Sequence, residues 1–201
     1  INVIGTAALA IESLFVYKTT KLITNNTSTA RLATLLYAFS PYLFTRTLYF
    51  PFYDQPFLVC YTAGIYSFCC YLRHQKNQAL YAIGASIGLL LLSRYNGIIL
   101  IMTMLTALAT QPPLLIKTFK NKHTYGAIAI AALIFSPVII WNIQHHWLSF
   151  TYQLSAHHRP HEPAWLNPKK YLFTYLVGTG LPFVLLLLLK FKTKLRIIQA
   201  D

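Results

Sequence analysis

Apolar residues run along the chain in seven blocks, roughly 1–17, 32–50, 57–72, 79–92, 97–116, 124–142 and 171–189, separated by polar gaps. A helix that crosses a bilayer needs about 20 mostly apolar residues, so blocks of this size predict spanning helices. Blocks 57–72 and 79–92 are short and need untilted packing or local thinning of the bilayer. The stretch 79–116 is too long for one helix and predicts a helical hairpin, with Gly97 permitting the reversal. No repeat or low-complexity linker divides the chain. The expected architecture is all-α: a polytopic transmembrane helix bundle of about seven spans, with residues 1–201 forming one membrane domain.

Charge then orients the spans. Alternate gaps carry Lys18, Lys21 and Arg31, then Arg73 and Lys76, then Lys117, Lys120 and Lys122, then Lys190, Lys192, Lys194 and Arg196. Arg46, Arg94, Arg159, Lys169 and Lys170 fall in the other gaps. The positive-inside rule places the first set in the cytoplasm and residue 1 at the outer side, as expected of a multi-pass protein of the inner (cytoplasmic) membrane. A chain that starts outside needs a signal peptide or an earlier span. Residues 1–17 lack the basic start and small-residue cleavage site of a signal peptide, so residue 1 is expected not to be the native start.

Composition narrows the class. The 201 residues are 56% hydrophobic and 10% charged, with mean hydropathy +0.49. A soluble domain is about 25% charged, so a water-soluble enzyme is excluded, and the hydrophobicity excludes disorder. The net charge of +13 does not indicate nucleic-acid binding, because the charges punctuate apolar blocks instead of covering a solvated face. Membrane lipids are the expected surroundings. Cys60, Cys69 and Cys70 share one block, form no spaced framework, and read as small hydrophobes.

With four acidic residues, each is informative. Asp201 ends the chain. Glu12 lies in the first span, where it is expected to be structural, paired with Lys18 or another helix, or protonated. Asp54 lies between Pro51 and Pro56, which keep the segment out of a helix and present the carboxylate at the outer surface near Arg46. Capping the next helix accounts for Asp54 as well as a functional role does. Arg94 interrupts the apolar run Leu91-Leu92-Ser93-Arg94-Tyr95-Asn96-Gly97-Ile98 at the outer turn. It either snorkels to headgroups or holds a phosphate in its planar donor fork, as a polyprenyl-phosphate carrier would require. The outer loop of about 143–170 carries His145, His146, His157, His158, His161 and Glu162, without a recognised ligand spacing, so no metal is expected. That loop reads as an interfacial segment with Trp147, Tyr152 and Trp165 at headgroup depth, or as a sugar- or lipid-binding face.

Three segments in order carry a resemblance: Asp54-Gln55-Pro56, Ser93-Arg94-Tyr95-Asn96-Gly97, and Pro137 through Trp141-Asn142-Ile143-Gln144-His145-His146-Trp147-Leu148-Ser149-Phe150. With Gly180-Leu181-Pro182 in the last block, they resemble the bacterial GT-C membrane glycosyltransferases related to dolichyl-phosphate-mannose protein mannosyltransferases. That group includes the aminoarabinose transferase of lipid A. The resemblance implies a sugar taken from a polyprenyl-phosphate donor and attached to a lipid, glycan or protein acceptor outside the cytoplasmic membrane. Asp54 then matches the acidic residue of the second outer loop, in a supporting role. Arg94, with Tyr95, matches the donor phosphate site, where the family more often has Lys. Trp141, Asn142, His146 and Trp147 match the outer surface of the cavity. No cofactor is implied; the sugar carrier is a substrate.

The resemblance also implies that the catalytic base belongs to a first outer loop with an Asp-Glu pair. The chain starts beyond that loop, so the first span and the base are expected to be missing and 1–201 alone to be inactive. An inactive remnant and a polytopic lipid or solute transporter are the alternatives. A transporter predicts ionisable groups within the spans, where only Glu12 qualifies.

Overall fold

Within residues 3–40 and 55–156, which the computed structural model describes, every regular element is helical. The helices are α1 (Val3–Thr24), α2 (Thr27–Ala38), α3 (Gln55–His74), α4 (Asn77–Ser93), α5 (Ile98–Ala109), α6 (Pro112–Lys120), α7 (Lys122–Gln144) and α8 (Leu148–Ala156). A 3₁₀ turn at Tyr95–Gly97 separates α4 from α5. The polar gaps end the helices through side-chain and backbone chemistry. Asn25 and Gln75 adopt left-handed backbone, φ 54° and 53°, after α1 and α3. The Asn26 Oδ1 accepts from the backbone N–H groups of Ser28 and Thr29 at 2.8 and 3.1 Å, capping α2.

These gaps lie at one end of the bundle and are tied together. The Arg73 guanidinium donates to the Leu22 carbonyl and to Asn25 Oδ1. Asn121, the cap of α7, donates from Nδ2 to Asn77 Oδ1 at 2.8 Å. The end of α1, the start of α2, the α3–α4 gap and the start of α7 therefore share this end. Lys18, Lys21, Arg31, Arg73, Lys76, Lys117, Lys120 and Lys122 lie at or within a few turns of it. Among the described residues only Arg94, of the Lys and Arg side chains, belongs to the opposite end.

The all-α expectation holds for the described residues; the seven spans are not all carried by them. Only α7 among them is long and apolar enough to cross a membrane by itself. Block 97–116 is not one helix. It breaks at Thr110 and Gln111, and Tyr95–Ala109 and Pro112–Lys120 bend by 119°. Pro112 and Pro113 explain the break: they lack N–H donors and their rings clash with the preceding turn, yet they suit the first turn of a new helix. Block 171–189 and the second half of 32–50 lie outside the described residues. Within the stretch 143–170 expected as a loop, α7 runs to Gln144 and, after a turn, Leu148 to Ala156 forms α8, a segment with no helix breaker.

The core centres on α4, which packs between α3 and α7. Tyr71, Leu80, Ile83, Leu90, Leu100, Met104 and Ala127 form its buried cluster. Gly84 and Gly88, four residues apart on α4, face the α7 backbone. A Cβ on Gly84 would lie 2.2 Å from the Ala127 carbonyl oxygen, and one on Gly88 would lie 2.8 Å from Ile134 Cβ. Small residues at this spacing let two helices approach backbone to backbone, which is how association is strengthened where lipid offers no hydrophobic drive.

Gly97 corrects the sequence reading of the turn. Its backbone is right-handed helical, φ −54° and ψ −21°, so the reversal draws nothing from a positive φ. The glycine is required for space instead, since a Cβ would lie 2.5 Å from Leu90 Cδ2. The extended residue is Arg94, at φ −155° and ψ 140°.

Glu12 is fully buried, and its partner is on another helix: Tyr37 Oη donates to Glu12 Oε2 at 2.7 Å. Lys18 instead places Nζ 5.9 Å from the Tyr66 ring centroid. Oε1 of Glu12 has no hydrogen-bond partner among the described residues, so the hydroxyl of Tyr37 is the contact that makes the buried carboxyl tolerable. Tyr37→Phe is expected to lower stability by about 1–2 kcal/mol, and Glu12→Leu with Tyr37→Phe to recover most of it. Reversible unfolding in mixed micelles measures both.

Candidate functional site

The end of the bundle opposite the cationic gaps is built from the α4–α5 turn and the α7–α8 junction. Arg94 follows α4 and leaves its side chain exposed beside the turn. Tyr95 does the docking. Its Oη is 2.6 Å from Ser149 Oγ, its ring stacks on Phe150 at 4.7 Å, and it meets Phe135 of α7 edge-on at 6.5 Å. Offset stacking and edge contacts of this kind add about 0.5–1.5 kcal/mol each beyond their buried area. The turn after α4 is thereby fixed against α8, and Arg94 is held next to a rigid neighbour.

The α7 helix reaches this junction despite Pro137 in its interior. A proline there leaves the carbonyl four residues earlier without its helical donor. That carbonyl belongs to Leu133, and Ser136 Oγ donates to it at 2.7 Å. Asn142 then organises the helix end. The side chain is fully buried and donates from Nδ2 to the Val138 carbonyl at 2.9 Å. The Asn142 carbonyl accepts from the Trp147 N–H at 2.8 Å, a closing bond across the left-handed His146.

His146 and Trp147 are both left-handed, at φ 53° and 60°. For residues with side chains this costs on the order of 1–3 kcal/mol each and persists only where the surroundings impose it. The Trp147 N–H bond and the contact of the Trp147 ring with Phe150, 5.7 Å between centroids, impose it here. An aromatic chain from Trp147 through Phe150 to Tyr95 therefore links the two sequence segments. Trp141 stands apart: it is exposed and stacks on His145 at 4.2 Å, while His145 Nδ1 lies 2.8 Å from the Trp141 carbonyl. Exposed Trp141, Trp147 and Tyr152 at one end of α7 have the amphipathic character of an aromatic belt.

Of the residues singled out by sequence, Arg94, Tyr95, Asn142, His146 and Trp147 converge on this end, and Trp141 flanks it. His146 adopts left-handed backbone at this junction and leaves its side chain exposed. Asp54 and Arg46 lie outside the described residues, as do His157, His158, His161 and Glu162. Ser149 and Phe150 belong to the quoted motif, but their pairing with Tyr95 has no local sequence signal, because the partners are 54 and 55 residues apart. Cys60, Cys69 and Cys70 form no disulfide and are half-buried on α3.

Residues 1–141 match the dolichyl-phosphate-mannose-protein mannosyltransferase family. The match takes in Arg94 and Tyr95 and ends at Trp141, so the junction from Asn142 to Phe150 lies beyond it. No curated protein and no solved structure matches the chain. An apolar chain, helical throughout its described elements and matched over more than two thirds of its length, leaves one assignment: it belongs to the dolichyl-phosphate-mannose-protein mannosyltransferase family of membrane glycosyltransferases.

Proposed function

We propose that the protein transfers a sugar from a polyprenyl-phosphate donor to a lipid, glycan or protein acceptor at the outer face of the inner membrane. Within the family it is read as a relative of the bacterial branch that includes the lipid A aminoarabinose transferase. The observation that carries this reading is the separation of charge. Arg94 stands at the end opposite the cationic gaps, on a turn clamped by Tyr95 to Ser149 and Phe150.

In the proposed reaction an acceptor hydroxyl or amine attacks the anomeric carbon. The bond from that carbon to the phosphate oxygen breaks, and the phosphate leaves with the electron pair. The acceptor's proton passes to a base that is not assigned to any residue of 1–201. Arg94 stabilises the negative charge that grows on the leaving phosphate, an electrostatic role that a fixed cation fills without reorganisation. Asp54 is proposed as a positioning residue for the donor or the neighbouring loops, and Trp141, Asn142, His146 and Trp147 as the flank of the cavity.

The test uses sealed membrane vesicles of known orientation carrying the native gene product. Transfer from a polyprenyl-phosphate-linked sugar presented at the outer face, with none from a nucleotide sugar, is the expected result. Transfer from a nucleotide sugar supplied at the cytoplasmic face would overturn the reading. Movement of the intact carrier across the bilayer without transfer would replace it with a transporter.

A further inference from the structure

An apolar cleft of about 440 Å³ runs between α3, α4, α5 and α7, from Leu91 and Phe135 toward the Arg94 end to Thr118 and Thr124 at the cationic end, with α6 across its foot. Its walls are hydrocarbon: Ile83, Ile87, Leu105, Leu108, Ile128 and Ala132 among them, with no charged side chain. Tyr71 and Thr118 stand at the foot, and Tyr71 also lines a second pocket with Gln75, Pro113, Ile116, Lys117, Lys120 and Asn121, whose charged groups are the two lysines. A greasy cleft and a basic pocket thus share one wall.

The short helix α6 is placed to join them. Thr118, buried on its inner side, fastens it to two neighbours: Tyr71 Oη lies 2.8 Å from Thr118 Oγ1, and Thr124 Oγ1 donates to the Thr118 carbonyl at 2.5 Å. Lys117 and Lys120 are exposed on either side of this anchor. The only acid among the described residues is Glu12, buried against Tyr37 on α1 and α2. The basic pocket therefore carries uncompensated positive charge from its own walls.

We propose that this foot is a binding site for an anionic phospholipid, with one acyl chain in the apolar cleft and the phosphate between Lys117 and Lys120. A cleft between membrane helices faces hydrocarbon, so its occupant there is a hydrocarbon chain. Basic pockets between such helices hold anionic headgroups. The inference rests on the chain being a membrane protein; its headgroup pocket at Lys117 and Lys120 lies at the end away from Arg94, so it does not depend on the donor reading.

The full chain, purified in detergent and depleted of lipid, is titrated with dioleoyl-phosphatidylglycerol or dioleoyl-phosphatidylcholine, and retention is read by native mass spectrometry. One phosphatidylglycerol per chain is expected to be held, roughly 30-fold more tightly than phosphatidylcholine, the effect of two lysines near a membrane surface. Lys117→Gln with Lys120→Gln erases the preference, and Ala132→Trp, which fills the cleft from an exposed position, abolishes retention of both lipids. Lys18→Gln with Lys21→Gln leaves the preference intact. Equal retention of the two lipids by the unaltered chain overturns the proposal, as does a preference that survives loss of Lys117 and Lys120. Retention of neither lipid also overturns it, and marks the cleft as covered by protein.

Discussion

Gly84→Leu is expected to abolish the folded domain, while Gly126→Ala leaves it nearly unchanged. Both put carbon where a glycine now allows a close approach, but the obstacles differ. At Gly84 the new Cβ would meet the Ala127 carbonyl oxygen at 2.2 Å, its carbon at 2.8 Å and its Cα at 2.9 Å, all backbone of α7. No rotamer change relieves a clash with a helix axis, so α4 and α7 must separate along the most extensive contact in the described structure. Overpacking in a core ordinarily costs about 1–3 kcal/mol. Gly84→Ala is expected at the top of that range or beyond it, and leucine well past it. At Gly126 the nearest atom is the edge of the exposed Tyr81 ring, 2.9 Å away, a side chain that can shift together with its hydrogen-bond partner His123 without moving a helix. Size-exclusion profiles and unfolding midpoints in detergent check the pair. A monodisperse, stable Gly84→Leu protein would show that α4 and α7 pack otherwise.

The second large effect is on catalysis. In the native gene product, Arg94→Leu is expected to lower the turnover of polyprenyl-phosphate sugar about 10²–10³-fold, the scale on which loss of one preorganised charge-stabilising donor is felt. Arg94→Lys keeps the charge and loses the planar fork, so it should retain activity within about tenfold. The unfolding midpoint of each variant is measured alongside, so that lost turnover is told apart from lost fold. Turnover is read with saturating donor. An Arg94→Leu enzyme with undiminished turnover would leave Arg94 as an anchor among headgroups.

The sequence carried the helices well and their meetings poorly. Apolar blocks 57–72, 79–92 and 124–142 correspond to α3, α4 and α7, each longer than its block because helices run on through polar residues such as Arg73 and Asn77. Block 97–116 was legible as a break only through Pro112-Pro113, which outweigh the continuous hydrophobicity around them. The Gly84-Ala-Ser-Ile-Gly88 spacing was a readable sign of close helix packing, and its partners Ala127 and Ala131 are small as well. Tyr95 meeting Ser149 is different in kind. It depends on where α7 ends, and that end is set by backbone bonds around Asn142 and two left-handed residues that have no glycine signature. Gly97 shows the converse, a turn glycine whose use is steric clearance.

Among the described residues, Lys18, Lys21, Arg31, Arg73, Lys76, Lys117, Lys120 and Lys122 gather toward one end and Arg94 lies toward the other, which makes this part of the bundle electrically polar. Across a membrane that sustains a potential, moving one elementary charge through the full field is worth about 2.3 kcal/mol per 100 mV. With the cationic end on the negative side, as the positive-inside rule expects, turning the bundle over would carry these eight described cations against the field and Arg94 with it. In that orientation the resting voltage of an energised bilayer acts as a continuous restoring force, strongest where the membrane is most polarised.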